Sequence, residues 1–272
     1  MALVGEAGLR LATWNVNSVT ARLPRFNEWL ELVEPDVVCL QETKTAAFPS
    51  DHAESLGYEL AHNGDGRWNG VAILSRVGLE DVSLGFAEQP GFAPDDEDAL
   101  LSVPKVEARA VGATCGGLRV WSVYVPNGRS LDSAHFPYKL EWLDRFRDVV
   151  AGEPHPLVVT GDFNIAPTDD DVWDIKAFRG STHVTPLERA RLQQLLDLGL
   201  TDVIPRPLKY DKPFTYYDYR AGMFHKNLGM RIDLVYASAG ITVQDAWIDR
   251  DARKGTGPSD HCPVVVDLEL PA

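Results

Sequence analysis

Cysteine is scarce in this 272-residue chain, which contains only Cys39, Cys115 and Cys262. The three residues lie far apart, and each stands beside an apolar, β-like run. This spacing argues against a disulfide framework and against a zinc site built on paired cysteines. We therefore predict three reduced thiols that are buried in the fold.

Long apolar stretches, flexible linkers and low-complexity segments are also lacking. No apolar run approaches the ~20 residues of a membrane span. Residues 1–6 lack the basic start and apolar core of a signal peptide. We therefore predict a soluble, cytoplasmic protein without membrane contact. Residues 9–272 are expected to form a single domain behind a short N-terminal extension, residues 1–8, and the protein is expected to be a monomer.

Positive charge is in deficit, because 26 basic residues face 40 acidic ones and the formal net charge is −14. Such a balance on its face argues against a nucleic-acid partner. The window 206–231 is an exception to this negative balance, because its six basic and two acidic residues give it a formal charge of +4. Its basic residues are Arg206, Lys209, Lys212, Arg220, Lys226 and Arg231.

Aromatic residues, among them Tyr210 and Tyr216, alternate with these basic residues. That mixture is typical of a surface that contacts phosphates and stacks on bases or sugars. The alternative interpretation is an ordinary polar loop with a few core aromatics. The acidic run Asp95–Asp98 is predicted to be a solvated loop away from this surface.

The hydrophobic pattern predicts many strands and a few long helices. Strands are predicted near residues 9–16, 36–42, 70–75, 106–113, 118–125, 157–161, 232–237 and 263–269. Helices are predicted over 23–33, 137–150 and 186–198. The last has the clearest signals, because Thr185 can cap it, Pro186 suits its first position and Glu188 completes a capping box. Taken alone, this pattern indicates a mixed α and β chain.

Carboxylate, amide and imidazole side chains cluster at the ends of five β-like segments. They are Asn15 with Asn17, Glu42, Asp162 with Asn164, Asp233, and Asp260 with His261. Hard oxygen ligands that converge from several strand ends are what Mg²⁺ or Mn²⁺ requires, with further ligands from water and substrate phosphate. The pattern predicts a divalent-metal site, with Glu42 as its first ligand.

Seven motifs follow one another in an order that spans about residues 9 to 270. They are Trp14-Asn15-Val16-Asn17-Ser18, Leu40-Gln41-Glu42-Thr43-Lys44, Tyr124-Val125-Pro126-Asn127-Gly128, Gly161-Asp162-Phe163-Asn164-Ile165-Ala166-Pro167, Asp218-Tyr219-Arg220, Arg231-Ile232-Asp233-Leu234 and Ser259-Asp260-His261. In these motifs the chain resembles the exonuclease III family of apurinic/apyrimidinic endonucleases, within the wider endonuclease/exonuclease/phosphatase fold. The resemblance implies an α/β fold, a four-layer α/β/β/α sandwich with two mainly antiparallel sheets.

The resemblance also implies roles for individual residues. The implied metal ligands are Asn15, Glu42, Asp162, Asn164, Asp260 and His261, around Mg²⁺ or alternatively Mn²⁺. The implied catalytic residues are Tyr124, Asp162, Asn164, Asp233 and His261. Asp162 would either activate water or protonate the leaving 3′ oxygen, and Asp233 would orient His261. The implied DNA contacts are Asn17, Tyr216 and Arg220, and the basic window adds Lys212 and Lys226 as predicted DNA contacts.

The implied function is DNA base-excision repair, by hydrolysis of the phosphodiester 5′ to abasic sites and by 3′-to-5′ exonuclease action or trimming of 3′ ends on duplex DNA. The chain departs from the family pattern at Tyr216, where the family usually has Trp. This substitution bears on the balance between abasic-site incision and 3′-exonuclease action. Two alternatives remain open at this point. One is a phosphodiesterase or phosphatase of the same fold that acts on RNA or small phosphates, and the other is a catalytically silent DNA-binding scaffold.

Overall fold

The computed structural model describes residues 8–93, 103–208 and 212–271. Most of the predicted N-terminal extension, the acidic run Asp95–Asp98, and Lys209 and Tyr210 of the basic window lie outside these ranges. The strands are β1 (Leu9–Asn15), β2 (Val37–Gln41), β3 (Glu59–Asn63), β4 (Val71–Ser75), β5 (Glu80–Leu84), β6 (Gly91–Phe92), β7 (Lys105–Val106), β8 (Ala110–Cys115), β9 (Leu118–Tyr124), β10 (Leu157–Asp162), β11 (Leu200–Asp202), β12 (Asp233–Ser238), β13 (Thr242–Ile248) and β14 (Val264–Glu269). The α-helices are α1 (Val19–Val33), α2 (Asp51–Ser55), α3 (His135–Val150), α4 (Pro186–Asp197) and α5 (Met223–Lys226).

Two six-stranded sheets organise the molecule. The first has the order β13-β14-β1-β2-β4-β3, and the second has the order β11-β12-β10-β9-β8-β5. Within each sheet one neighbouring pair is parallel, β1 with β2 and β9 with β10, and the other pairs are antiparallel. The predicted fold class, with two mainly antiparallel sheets, is confirmed.

The apolar side chains form three layers of contact. Leu11, Cys39 and Val158 belong to the large core between the sheets. On the outer face of the first sheet, Trp29 of α1 packs against Trp14 with ring centroids 5.3 Å apart. Helices α3 and α4 cover the outer face of the second sheet. The order of layers is therefore helix, sheet, sheet, helix, and all three cysteines are free and buried as predicted.

Several predicted boundaries were wrong. The strand predicted over 106–113 begins at Ala110, because residues 105–106 pair instead with β6 in a separate ribbon. The helix predicted over 23–33 begins four residues earlier, where the Ser18 side chain accepts a hydrogen bond from the backbone of Ala21, so that Pro24 lies inside it. By contrast, the capping box of Thr185 and Glu188 is present. Short strands β3, β5 and β11 and the longer β13 were not predicted from sequence.

A buried polar layer separates the apolar core from one end of the space between the sheets. Gln41 donates to Thr13 in its own sheet, at 3.0 Å, and to Ser122 in the opposite sheet, at 3.1 Å. Thr160 donates to the carbonyl of Leu234 at 2.8 Å. Side chains two residues apart on a strand share a face. The next inward-facing position on each of these strands therefore lies above this layer, at the open end of the sandwich.

Among residues 8–93, 103–208 and 212–271, every helix is too short or too polar to cross a lipid bilayer.

Candidate active site

Three neighbouring strands of the second sheet carry polar residues in matching register at the open end. Asp162, the last residue of β10, is paired with Tyr124 of β9 on one side and with Asp233 of β12 on the other. Asp162 and Asp233 are almost fully buried. Their position follows from strand periodicity, because Asp162 lies two residues after Thr160 in β10 and Asp233 lies two residues before the core residue Val235 in β12. Two carboxylates are thereby brought together in a site of low solvent access.

Asn15 joins the two sheets at this end. Its side-chain nitrogen donates to Glu42, at 2.8 Å, and to Asp162, at 2.9 Å. Its side-chain oxygen accepts the backbone N–H of Asn17 at 3.0 Å, which fixes the orientation of the amide because an N–H only donates. The implied metal ligand Asn15 thus presents its nitrogen to the carboxylates and its oxygen to the chain.

Glu42 leaves the line of β2 because its backbone is in the left-handed region, at φ 51°. Its carboxylate lies 2.7 Å from the ammonium of Lys44. Burial raises the pKa of Glu42, but the charge of Lys44 and the hydrogen bonds from Lys44 and Asn15 lower it further, so that the net shift is downward. Glu42 is therefore held as a carboxylate.

The chain beyond β1 brings two further predicted residues to the site. Sequence reasoning placed Asn15 and Asn17 on one strand, but β1 ends at Asn15 and Asn17 has a φ of 45°. Asn17 accepts from Lys44 at 2.6 Å and donates to Asp260 at 3.1 Å. Asp260 is half-buried, and its hydrogen bonds link it to Asn17 and Ser259. Asn17 and Asp260 form the rim of the site.

Glu42, Asp162 and His261 each offer one ligand atom, and these atoms lie within 4.8 Å of one another. The carboxylates of Glu42 and Asp162 are suited to a hard divalent cation such as Mg²⁺ or Mn²⁺. The electrostatics agree, because burial and the neighbouring charge of Asp233 raise the pKa of Asp162 to about 7, although His261 opposes the shift. A cation would relieve this repulsion between carboxylates.

His261 is held from both sides. Its Nδ1 lies 2.8 Å from the carboxylate of Asp233, and its Nε2 lies 3.8 Å from Asp162. Burial lowers the pKa of His261, but the charges of Asp233 and Asp162 raise it to about 10. The Tyr216 ring lies beside the imidazole, with centroids 5.0 Å apart. The predicted pairing of Asp233 with His261 is present in the structure.

Asn164 is a second left-handed residue, at φ 52°. In this conformation its backbone N–H donates to Asp162 Oδ1 at 2.9 Å. Its side-chain nitrogen donates to the carbonyl of Val125, and its side-chain oxygen accepts from Asn127 at 3.0 Å. Asn164 therefore orients Asp162 through the backbone, while its side chain is engaged by the β9–α3 loop.

The glycine before Asp162 allows two strand backbones to approach closely. Gly161 has a φ of 143°, and a Cβ there would lie 2.0 Å from the carbonyl oxygen of Val123 in β9. The close approach of two strand backbones therefore requires this glycine.

Tyr124 lies at the edge of the cluster. Burial, together with the negative charge of Glu42, raises the pKa of its phenol well above the usual range, so the phenol keeps its proton and can donate it in a hydrogen bond. The guanidinium of Arg109 lies over the ring, 4.8 Å from the centroid, and donates to the Tyr124 carbonyl at 3.2 Å. Arg109 was not identified from sequence.

A cleft of about 300 Å³ opens beside His261. Its wall includes Tyr216 and the apolar side chains of Trp173, Phe178 and Met230. Tyr216 thus lies between the cluster and the cleft. The cleft is large enough for a sugar, and its apolar wall would exclude water from one side of a bound group.

The basic window is less positive in the structure than in the sequence. Arg231 is buried between Asp171, at 2.7 Å, and Asp202, at 2.8 Å, so it cannot serve as a surface charge. Arg206 pairs with Asp245 of the edge strand β13. Arg231 therefore adds no positive charge to this surface, whereas Arg206 is exposed and paired with one aspartate, as Lys212 is.

Three predicted DNA contacts remain exposed. Lys212 pairs with Asp170 at 2.9 Å, and Arg220 forms a two-pronged pair with Asp218. Lys226 is exposed at the end of α5. The aspartates beside Lys212 and Arg220 are also exposed or half-exposed, which leaves both cations accessible.

Sequence reasoning missed three residues that shape the cluster. Lys44 forms an ion pair with Glu42 and donates a hydrogen bond to Asn17. Asn127 donates to the Asn164 side chain, and Lys139 donates to the Asn164 carbonyl. Lys44 and Asn127 lie within recognised motifs, which was a usable signal. Lys139 had none, because it stands in a helix whose visible pattern is that of an amphipathic surface.

The sequence profile of the endonuclease/exonuclease/phosphatase family matches residues 12–261. Exodeoxyribonuclease III of Haemophilus influenzae is 32% identical over 277 residues, which cover 96% of this chain and all of the relative. Among solved structures, an AP endonuclease from Archaeoglobus fulgidus is similar with a TM-score of 0.84 and 33% identity, over 96% of this chain and all of that one.

A 3′ phosphatase from Neisseria, solved with a product DNA hairpin, is similar with a TM-score of 0.85 and 36% identity, again over 96% of this chain and all of that one. The similarity extends through every motif that contributes to the cluster. The chain therefore belongs to the endonuclease/exonuclease/phosphatase family and, within it, to the exonuclease III group of DNA repair nucleases.

Proposed function

We propose that this protein is a divalent-metal-dependent nuclease that hydrolyses the phosphodiester 5′ to abasic sites and trims 3′ ends in duplex DNA. The observation that carries the proposal is the buried group of Glu42, Asp162 and His261, which lies beside the cleft of Tyr216. The similarity to exodeoxyribonuclease III over the whole chain supports the same reaction. Mg²⁺ is the proposed ion, with Mn²⁺ as a substitute.

Glu42 and Asp162 would hold the ion, with His261 and Asp260 nearby. When bound, such an ion neutralises charge on the phosphate oxygens and lowers the pKa of bound water. The protein supplies orientation. Asn15 and Lys44 fix Glu42, and Asn15 also fixes one oxygen of Asp162.

His261 and Asp162 would handle charge and protons. With Nδ1 directed at Asp233, the charged imidazole turns its Nε2–H toward the reacting phosphate and stabilises its negative charge. Before an ion binds, Asp162 has a pKa of about 7, and a bound ion would lower this pKa and favour the carboxylate that accepts a proton. Asp162 would accept a proton from water or donate one to the leaving 3′ oxygen. The Tyr124 phenol and Asn17 would donate hydrogen bonds to phosphate.

The cleft suggests how damaged DNA is recognised. A deoxyribose without a base could enter the cleft of about 300 Å³ and lie against the wall that Tyr216 and Met230 form. Lys212, Arg220 and Lys226 would contact the backbone on either side. This arrangement favours duplex DNA over a small phosphate, which needs no such extended surface.

A second activity at the same site is favoured by one comparison. The Neisseria enzyme NExo, 36% identical in each of two solved structures, is called a 3′ phosphatase in one and a 3′–5′ exonuclease in the other. We propose that this chain also removes 3′ phosphates and 3′ nucleotides. Because one chain supplies every residue of the cluster, we further propose that it acts as a monomer inside the cell.

Three matched duplexes test these activities, with a tetrahydrofuran site, a recessed 3′ end and a 3′ phosphate at a nick. We expect Mg²⁺-dependent incision of the first and processing of the others, with loss of all activity in chelator. Glu42→Gln should abolish turnover. The control Glu153→Gln removes a carboxylate that is paired with Arg119 at the far end of β9. Activity in chelator, or equal losses in both variants, would contradict the assignment.

A further inference from the structure

A buried ion pair lies directly behind the cluster and is not used in the mechanism above. Lys139 of α3 and Glu188 of α4 are both 0% exposed, and their charged atoms are 2.5 Å apart. Burying two charges costs several kcal/mol per ion before pairing, and apolar residues of the same size often give equal or greater stability. Stability alone therefore does not explain why this pair is present.

The ammonium of Lys139 is directed at the backbone of the active-site loops. It donates to the carbonyl of Asn164 at 2.7 Å and to the carbonyl of Asn127 at 3.2 Å. His183 Nδ1 lies 2.5 Å from the same Asn164 carbonyl, so two donors hold one peptide group. Asn164 and Asn127 are the two residues whose side chains bind each other beside Asp162.

Glu188 anchors the ammonium from the other side. One of its oxygens accepts from Lys139, from the Thr182 hydroxyl at 2.6 Å and from the His183 backbone at 2.8 Å. The other oxygen caps α4 through Thr185. Burial raises the pKa of Glu188, yet the charge of Lys139 and these hydrogen bonds outweigh it and lower the pKa to about 2. Glu188 is therefore a carboxylate at neutral pH, whereas burial lowers the pKa of Lys139 against the opposing charge of Glu188.

Two backbone features depend on this contact. Asn164 has a left-handed backbone, which an asparagine adopts only at some cost unless its surroundings hold it. Gly128, also left-handed at φ 88°, lies so close that a Cβ would be 2.7 Å from the Thr182 hydroxyl and 3.1 Å from Lys139. The β9–α3 loop and the loop after β10 are thus both hydrogen-bonded to the Lys139 ammonium. In this arrangement the Asn164 N–H donates to Asp162.

We propose that Lys139 and Glu188 are positioning residues, which hold the Asn127 and Asn164 peptides so that Asn164 keeps Asp162 in its reactive orientation. The proposal rests on the proposed roles of Asp162 and Asn164. Neither Lys139 nor Glu188 contacts substrate in it. Their effect on the reaction would pass through the carbonyl of Asn164.

The test compares two charge-free double variants. Lys139→Met with Glu188→Gln removes this pair and leaves side chains of similar length. The matched control, Arg119→Met with Glu153→Gln, removes a nearly buried pair at the opposite end of β9. The readouts are the melting temperature, and kcat and KM for incision of a tetrahydrofuran duplex in Mg²⁺.

We expect Lys139→Met alone to lower the melting temperature, because Glu188 is left buried without a partner, and the double variant to recover most of that loss. The kcat of the double variant should nevertheless fall about 10- to 100-fold, as for other small misplacements of reactive groups, with KM nearly unchanged. The Arg119/Glu153 control should keep its kcat. Equal kcat in the two double variants would overturn the proposal.

A double-mutant cycle with Asp162→Asn identifies the route. If the pair acts by keeping Asp162 in its reactive orientation, removing the pair in the Asp162→Asn background should cost little further kcat. Full additivity of the two losses would overturn the proposed route. If Asp162→Asn alone had wild-type kcat, the proposed active site would fail instead, which separates the two conclusions.

Discussion

At the scale of single residues, His261 shows how neighbours determine chemistry. Its imidazole contacts a carboxylate on each side, Asp233 at 2.8 Å and Asp162 at 3.8 Å. Neither distance is visible in the local sequence, where His261 follows Asp260. The adjacent aspartate is directed toward Asn17 instead.

We expect His261→Asn and Asp233→Asn each to lower kcat by about 10²- to 10⁴-fold, the usual contribution of a positioned acid or base. Because one group orients the other, the double variant should be scarcely slower than the slower single variant. Single-turnover rates on abasic duplex measure this directly. If the two losses multiply, Asp233 and His261 act in separate steps.

At the scale of elements, α4 links fold stability to the site. Its capping box was visible in the sequence, since Thr185, Pro186 and Glu188 have the required spacing. The second role of Glu188, as partner of Lys139, was not visible. Partners 49 residues apart meet only after both helices have packed on the second sheet.

The segment before α4 also predicts a pH dependence. Burial and the charge of Lys139 lower the pKa of His183 to about 4. The unfolded chain, with a histidine pKa near 6.5, binds this proton more readily than the folded protein does. Stability should therefore fall as pH drops from about 6.5 toward 4.

Urea unfolding of metal-free protein between pH 7.5 and 4.5 tests this prediction. His183→Asn keeps an N–H near the Asn164 carbonyl but does not titrate, so its stability should decline less steeply over this range. His225→Asn, at an exposed position of α5, serves as the control. Parallel curves for wild type and His183→Asn would show that His183 does not take up the proton.

At the scale of the whole molecule, the net charge does not describe the local charge of the proposed DNA-binding surface. The net charge of −14 is compatible with a DNA-binding surface because affinity depends on local phosphate contacts. Lys212 and Lys226 lie on either side of Tyr216 and Arg220 in the chain, whereas Arg206 contacts Asp245 of the edge strand β13. The distribution of these cations predicts which of them contact DNA.

Replacing Lys212 and Lys226 together by Ala should make the slope of log affinity against log salt shallower by up to about 1.8, at roughly 0.9 per phosphate contact. Titrations on abasic duplex at several salt concentrations, with Ca²⁺ to suppress hydrolysis, measure the slope. Arg206→Ala should leave it unchanged. Identical slopes for all three proteins would locate the DNA contacts elsewhere.

Tyr216→Ala tests recognition without charge. Loss of a stacking face costs about 1–3 kcal/mol per base in comparable sites, so abasic-site affinity should fall while the salt slope stays the same. Tyr216→Phe keeps the ring beside His261 and should bind nearly as wild type does. An altered slope for Tyr216→Ala would mean that the variant has lost phosphate contacts too.

The sequence by itself determined the residue types at the strand ends, the capping box at Thr185 and Glu188, and the motifs that indicate the family. It also indicated most central strands, because a period of two along a strand is a local property. Helix starts were less certain, as α1 shows, since the capping bond at Ser18 was not recognised in the sequence.

Only the tertiary structure decided which groups meet. Asn15 bridges Glu42 and Asp162 across two sheets, Arg231 is neutralised between Asp171 and Asp202, and Lys139 holds the Asn164 peptide. These contacts join residues 25 to 147 positions apart. The physical reason is that periodicity determines the direction of a side chain, whereas the packing of sheets and helices determines its partner.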